Sequence, residues 1–210
     1  GYAAMLESAA VRALLLSLAA GLSTLLGALV VFAARRRSEK LLAVSLGFAG
    51  GVMLAVSFTD LFPTAREHLT ASLGGRPGAL AAVLSLAAGI GCAAALDHLV
   101  PHDAFDADTG EAPHKNLFRV GFVSALAMAL HNFPEGVATF LAGYEDLTLG
   151  VSITLAIALH NIPEGISVAM PVWYATGSRR RAFRCTLLSG LTEPVGAVLA
   201  FALLRPFLNG

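Results

Sequence analysis

Long apolar runs separated by polar segments dominate the pattern of this chain. A helix needs about 20 apolar residues to cross the hydrocarbon core of a bilayer. Six runs reach that length, at about 11–34, 41–63, 79–100, 117–142, 147–173 and 182–208. Because only helices satisfy the backbone this deep in lipid, the pattern predicts an all-α, polytopic transmembrane helix bundle. Residues 1–210 are expected to form a single transmembrane domain.

The second run has two features of its own. Gly47 and Gly51 lie four residues apart, a spacing that predicts a small-residue face where another helix approaches closely. The polar stretch that follows, "TAREHLTASLGGRP", is predicted to be a connector to the third run.

Composition agrees with a lipid environment and excludes several other classes. The 210 residues are 56% hydrophobic and 13% charged, with a mean hydropathy of +0.73, well outside the range of soluble domains. The formal net charge is zero, which gives no reason to expect a nucleic-acid partner. The two cysteines imply no disulfide framework. The lipid bilayer is therefore the expected surrounding.

Basic residues are distributed unevenly between the two ends of the runs. Ten of the 14 Lys and Arg residues fall at one end, mainly in residues 35–40 and 179–184. Cytoplasmic loops carry such an excess, so both termini are predicted to lie outside. The abundance of Ala, Leu, Gly and Arg is typical of a GC-rich bacterium and favours the inner membrane.

Two copies of one polar motif interrupt the fourth and fifth runs. They are "ALHNFPEGVA" at 129–138 and "ALHNIPEGIS" at 158–167. In each copy His and Glu are four residues apart, so both project from one helical face. The proline cannot donate a hydrogen bond to the carbonyl four residues earlier, so both helices are predicted to kink. Intramembrane carboxylates are costly unless paired, which makes these residues functional candidates.

A third carboxylate, Glu193 in "GLTEPVG", lies near the middle of the sixth run. The short connection makes the fourth and fifth runs antiparallel neighbours, so their polar faces are expected to meet at one depth. No Lys or Arg lies in the centre of any run, so neutralisation must come from protons or a bound cation. Imidazole with carboxylate suits a divalent metal such as zinc or iron(II). A purely structural hydrogen-bond network is the alternative.

Other polar or soft side chains are candidates for supporting roles. Met53 in the second run could add a thioether ligand or simply fill the core. The loop 101–116 is either a solvated loop or a weak divalent-metal site. An entry or exit path for the metal could use Asp60, Glu67, His68, Asp97 and His102.

The motifs "HNFPEG" and "HNIPEG" in consecutive runs, with "TEP" in the next, resemble the ZIP family of zinc and iron transporters. The resemblance covers essentially the whole chain in span order. It implies an eight-helix fold with a binuclear metal centre between the fourth and fifth helices, which moves divalent metal into the cytoplasm. Zinc is the expected substrate, with cadmium, iron and manganese as alternatives. Six runs against eight imply that the last two family helices are absent here.

The resemblance also implies ligands, carried over by position. One ion would be held by Met53, His131, Glu135, His160 and Glu164. The second would be held by Asn132, Glu135, Asn161, Glu164 and Glu193. Asp97 and His102 match positions on the inner exit path, and a homodimer is left open.

An intramembrane zinc metalloenzyme is the alternative function. No "HExxH" pair is present, and the carboxylate-rich set differs from three ligands plus one open position. The leading hypothesis is therefore a transporter of divalent metal and not an enzyme.

Overall fold

The computed structural model describes residues 2–99 and 112–208, and all regular structure in these residues is helical. The helices are α1 Tyr2–Ala33, α2 Glu39–Val56, α3 Phe62–Leu73, α4 Gly75–Leu99, α5 Ala112–Glu145, α6 Leu147–Thr176 and α7 Arg179–Leu208. A π-helical turn, Ser57–Leu61, joins α2 to α3. The prediction of an all-α fold is confirmed.

Five helices of the described chain are long and apolar enough to cross a membrane. They are Glu7–Ala33, Glu39–Leu73, Gly75–Leu99, Leu147–Thr176 and Arg179–Phe207. The fourth predicted run lies in α5, which is not among the five. α5 carries Arg119 in addition to its polar motif, and it still packs against α6 and α7 within the bundle.

The segment predicted to connect the second run to the third is helical for most of its length. The chain continues from α2 through the π-helical turn into α3. The helix ends only at Gly74, whose φ is 89°, and α4 follows at once. Ala, Arg, Glu and Leu in this stretch are good helix formers. Polarity indicated exposure of these residues and not the end of a helix.

Four helices, α1, α5, α6 and α7, pack against one another and form the centre of the molecule. α2 packs against α6, and α4 contacts α3 and α5. In the most apolar stretch of α6, 61% of the residues are buried. In the corresponding stretches of the α2–α3 helix and of α4, 6% are buried. α5 and α6 remain helical across Pro134 and Pro163. Both polar motifs therefore lie in continuous helices at the centre of the bundle.

Close helix crossings occur at glycines of α1 and α7 instead of those predicted on α2. A Cβ added to Gly21 would lie 2.5 Å from the Gly190 carbonyl oxygen, and one added to Gly190 would lie 2.5 Å from the Gly21 oxygen. Within the part of the chain that is described, an added Cβ at Gly47 or Gly51 would have no neighbour within 4 Å. The predicted close approach at α2 is thus not observed there, because no helix of this part packs on that face.

Candidate metal centre

Each polar motif forms a His–Glu pair along its own helix. In α5, His131 Nε2 lies 3.0 Å from Glu135 Oε1. In α6, His160 Nε2 lies 2.9 Å from Glu164 Oε1. Residues four apart are neighbours on a helical face, so the local spacing alone accounts for both pairs.

The two pairs meet across the interface between α5 and α6. The Nε2 atoms of His131 and His160 are 3.3 Å apart, and His131 Nε2 is also 3.3 Å from Glu164 Oε1. Single donor atoms of His131, His160 and Glu164 all lie within 4.8 Å of one another, a spacing that could hold a metal ion. The repeated motifs thus form one cluster from two helices.

The asparagines of the motifs attach this cluster to α7 and α1. Asn132 Nδ2 donates to the carbonyl oxygen of Ser189, at 3.0 Å. Asn161 Nδ2 donates to the carbonyl oxygen of Ala20, at 2.8 Å, and to Glu193 Oε2, at 2.9 Å. Glu193, the third predicted carboxylate, is therefore joined to the motif of α6.

One oxygen of each of five polar side chains is buried and has no hydrogen-bond partner in the described residues. Asn132 and Asn161 are fully buried, and Glu164 and Glu193 are at most 1% exposed. A buried acceptor without a partner costs about 1–3 kcal/mol, and more if it is charged. The atoms are Asn132 Oδ1, Glu135 Oε2, Asn161 Oδ1, Glu164 Oε2 and Glu193 Oε1. Carboxylate and carboxamide oxygens beside imidazole nitrogens form a donor set that fits a divalent cation.

In residues 2–99 and 112–208, no lysine or arginine forms an ion pair with the glutamates of the cluster. The ion pairs recorded for Glu135 and Glu164 in the described chain involve only His131 and His160. Three carboxyl groups therefore share a buried region whose basic contacts, among the residues that the structure describes, are imidazoles. A dication or protons can offset such an excess of negative charge.

The glycine of each "PEG" lets a neighbouring helix approach closely. The sequence pattern did not predict this role. A Cβ added to Gly136 would overlap the carbonyl oxygen of Glu193 in α7, and one added to Gly165 would overlap the carbonyl oxygen of Thr24 in α1. The glycine in both copies of "PEG" was the available signal. These contacts keep α1 and α7 close enough for the asparagines to reach their carbonyl partners.

The remaining candidates lie in α2, in the π-helical turn and in α3. Met53 is partly buried and packs against an apolar cluster that includes Val31, Ile166 and Met170. Asp60, in the π-helical turn, is exposed, as are Glu67 and His68 in α3. Within residues 2–99 and 112–208, the ion pairs of the His–Glu cluster do not include Asp60, Glu67 or His68.

Of the two predicted exit residues, only Asp97 can be described. Its side chain is 59% exposed, and its Oδ1 lies 2.9 Å from Nη1 of Arg119. The same guanidinium also donates to the backbone oxygen of Asp97. His102 lies outside the described residues. The roles of both as metal ligands stay predictions.

An all-helical bundle with membrane-length helices defines a multi-pass membrane protein. The family model for the ZIP zinc transporter matches residues 105–207. The chain is 43% identical to the zinc transporter ZupT of Clostridium perfringens, over 94% of this chain and 76% of that protein. It is 47% identical to the ZupT proteins of Chlorobium chlorochromatii and Corynebacterium glutamicum, over 92% of this chain and 76% and 77% of theirs. The chain belongs to the ZIP family of zinc transporters. The family consists of transporters, and these relatives give no support to the metalloenzyme alternative.

Proposed function

We propose that this protein carries zinc through the bilayer by way of the cluster between α5 and α6. The observation that carries the proposal is the set of five buried oxygens without partners beside two imidazoles. Such a set is costly for the empty protein, and a divalent cation bound there would offset that cost. Family membership and the names of the relatives support zinc as the substrate.

The site is proposed to hold two ions with shared carboxylates. Glu135 and Glu164 each direct Oε1 to a histidine, while Oε2 is buried without a partner. This arrangement supports bridging by both glutamates. The ion on the histidine side would add Met53 to His131 and His160. The other ion would take Asn132, Asn161 and Glu193.

Electrostatics would govern uptake and release of the cation. Three ionised glutamates would attract a dication and replace part of the hydration that it loses. Pro134 and Pro163 leave the carbonyls of Leu130 and Leu159 without their usual helical donor, so these oxygens are further acceptors near the site. Release would follow when protonation or helix movement weakens the site.

Transport is proposed to run toward the cytoplasm, with both termini outside the inner membrane. Arg179 Nη2 donates to the carbonyl oxygen of Ala34, at 3.1 Å, and Arg37 Nη1 donates to that of Tyr174, at 3.3 Å. The two arginine-rich loops therefore lie together at one end of the bundle. A shared basic end supports a cytoplasmic location.

Zinc uptake into proteoliposomes tests the proposal. Wild-type protein and Glu135→Gln are reconstituted around an encapsulated zinc indicator, and cadmium, iron(II) and manganese are added as competitors. The substitution keeps the side-chain shape and removes one ligand charge, so uptake should fall to background. Glu39→Gln, at the exposed start of α2, is the matched control and should keep wild-type uptake. Undiminished uptake by Glu135→Gln would refute the proposed site.

A further inference from the structure

α1 and α7 make equivalent contacts around the site, which relates residues of one helix to residues of the other. Gly27 approaches the carbonyl oxygen of Ile162 in α6, and Gly196 approaches that of Phe133 in α5. Ile162 and Phe133 hold the same position in their two motifs. Gly21 and Gly190 also correspond, because each approaches the carbonyl oxygen of the other.

The hydrogen bonds follow this relation as well. The carbonyl oxygen of Ala20 accepts from Asn161 and from the hydroxyl of Ser23. The carbonyl oxygen of Ser189 accepts from Asn132 and from the hydroxyl of Thr192. With the correspondence established in this way, "GLSTLLGA" of α1 aligns with "GLTEPVGA" of α7.

Thr24 is the residue of α1 that corresponds to Glu193. Each has its carbonyl oxygen against the glycine of a motif, Gly165 for Thr24 and Gly136 for Glu193. Both side chains are fully buried. Glu193 uses its side chain to join Asn161, while the Thr24 hydroxyl has no hydrogen-bond partner in the described part of the chain.

The unpartnered state of this hydroxyl has a local cause. Two buried threonines in the neighbouring helices donate to the carbonyl four residues earlier, Thr139 to Glu135 and Thr186 to Ala182, at 2.7 and 2.8 Å. The hydroxyl of Thr154 in α6 is also buried and has no partner in the described residues. For Thr24 that carbonyl belongs to Ala20, which already accepts from Asn161 and Ser23. Two side-chain donors therefore already share the Ala20 oxygen with its helical N–H, which leaves it crowded for the hydroxyl of Thr24.

We infer that the Thr24 hydroxyl is an oxygen of the cation site, the α1 counterpart of the Glu193 carboxylate, which hydrogen-bonds to water retained by the bound cation. The inference rests on the proposed function. A neutral hydroxyl in place of a fourth carboxylate limits the negative charge of the site while keeping an oxygen beside α1. Bridging water makes such contacts nearly as favourable as direct ones.

The test compares Thr24→Val, which removes the hydroxyl and keeps the side-chain shape, with Thr24→Ser, which keeps the hydroxyl. Because outer-shell partners of metal sites typically change affinity 10- to 100-fold, KM for zinc uptake should rise roughly tenfold in Thr24→Val and stay near wild type in Thr24→Ser. Without zinc, Thr24→Val should melt roughly 2–4 °C above wild type, since it removes an unpartnered buried hydroxyl.

Thr186→Val is the matched control because the Thr186 hydroxyl is equally buried but bonded to Ala182. It should lower the melting temperature and leave the zinc KM unchanged. A wild-type zinc KM in Thr24→Val, with Glu135→Gln inactive, would overturn the role of Thr24 alone. Absence of zinc uptake by wild type would overturn the proposed function itself. If Thr24→Val does not fold, Thr24→Ala measured against Thr24→Ser decides the same question through KM.

Discussion

Replacing Gly136 with alanine tests whether the motif glycines hold the site together. The added Cβ would meet the oxygen, carbonyl carbon and Cα of Glu193, all backbone atoms of α7. Backbone cannot rotate away as a side chain can, so α5 and α7 must separate. Overpacking costs about 1–3 kcal/mol, and we take the upper end because the obstacle is backbone.

The net effect also includes the intrinsic preference of alanine for helix. Gly→Ala in a helix interior gains roughly 0.5–1 kcal/mol, which leaves a destabilisation of about 2 kcal/mol. For a chain of this size that lowers the melting temperature by roughly 4–8 °C. Separation of the helices should also weaken zinc binding, because Glu193 would move away from Asn161.

Gly51→Ala is the control, because the same substitution on α2 meets no neighbour within 4 Å in the described chain. It should leave the melting temperature unchanged or raise it by a few degrees, since only the roughly 0.5–1 kcal/mol helix preference remains. Fluorescence of the one tryptophan, Trp173, which is 5% exposed, reports unfolding in detergent. Equal melting temperatures for Gly136→Ala and Gly51→Ala would refute the reasoning.

Two further substitutions test the third carboxylate and the connection between the loops. Glu193→Gln keeps an oxygen that can accept from Asn161 and removes a ligand charge. The variant should fold normally but retain less zinc by elemental analysis. An unchanged zinc content would argue against the second ion. Tyr174→Phe removes the hydroxyl that donates to the Ser38 carbonyl, at 2.8 Å, and accepts from its N–H, at 2.7 Å. It should destabilise the protein by about 1–3 kcal/mol in denaturant unfolding while zinc KM stays unchanged; unaltered stability would contradict the importance of this contact.

The sequence alone predicted the features that depend on neighbouring residues. Apolar run lengths predicted the helices, because backbone in lipid must bond within its own segment. The four-residue spacing predicted the His131–Glu135 and His160–Glu164 pairs, because helical geometry alone sets which residues share a face. The repetition of the motif indicated that two such pairs form one site.

Polarity and residue spacing did not predict where a helix continues or where it contacts another helix. The stretch after the second run is polar and yet helical, since polarity indicates exposure and helix formers continue the helix. Gly47 and Gly51 have the spacing of a packing face, but no helix of the described chain approaches them. Whether a glycine lies at a helix crossing depends on which helix packs against it. The sequence of its own helix does not specify that partner.

Only the tertiary structure decided how α1 takes part in the site. The sequence alone determined the helices, the paired histidines and glutamates, and the excess of buried acids. The partnership of Ala20 with Asn161, the closeness of Gly165 to Thr24 and the equivalence of Thr24 with Glu193 became evident only from packing. The physical reason is range: helical periodicity is fixed over a few residues, whereas these contacts join residues more than 130 positions apart.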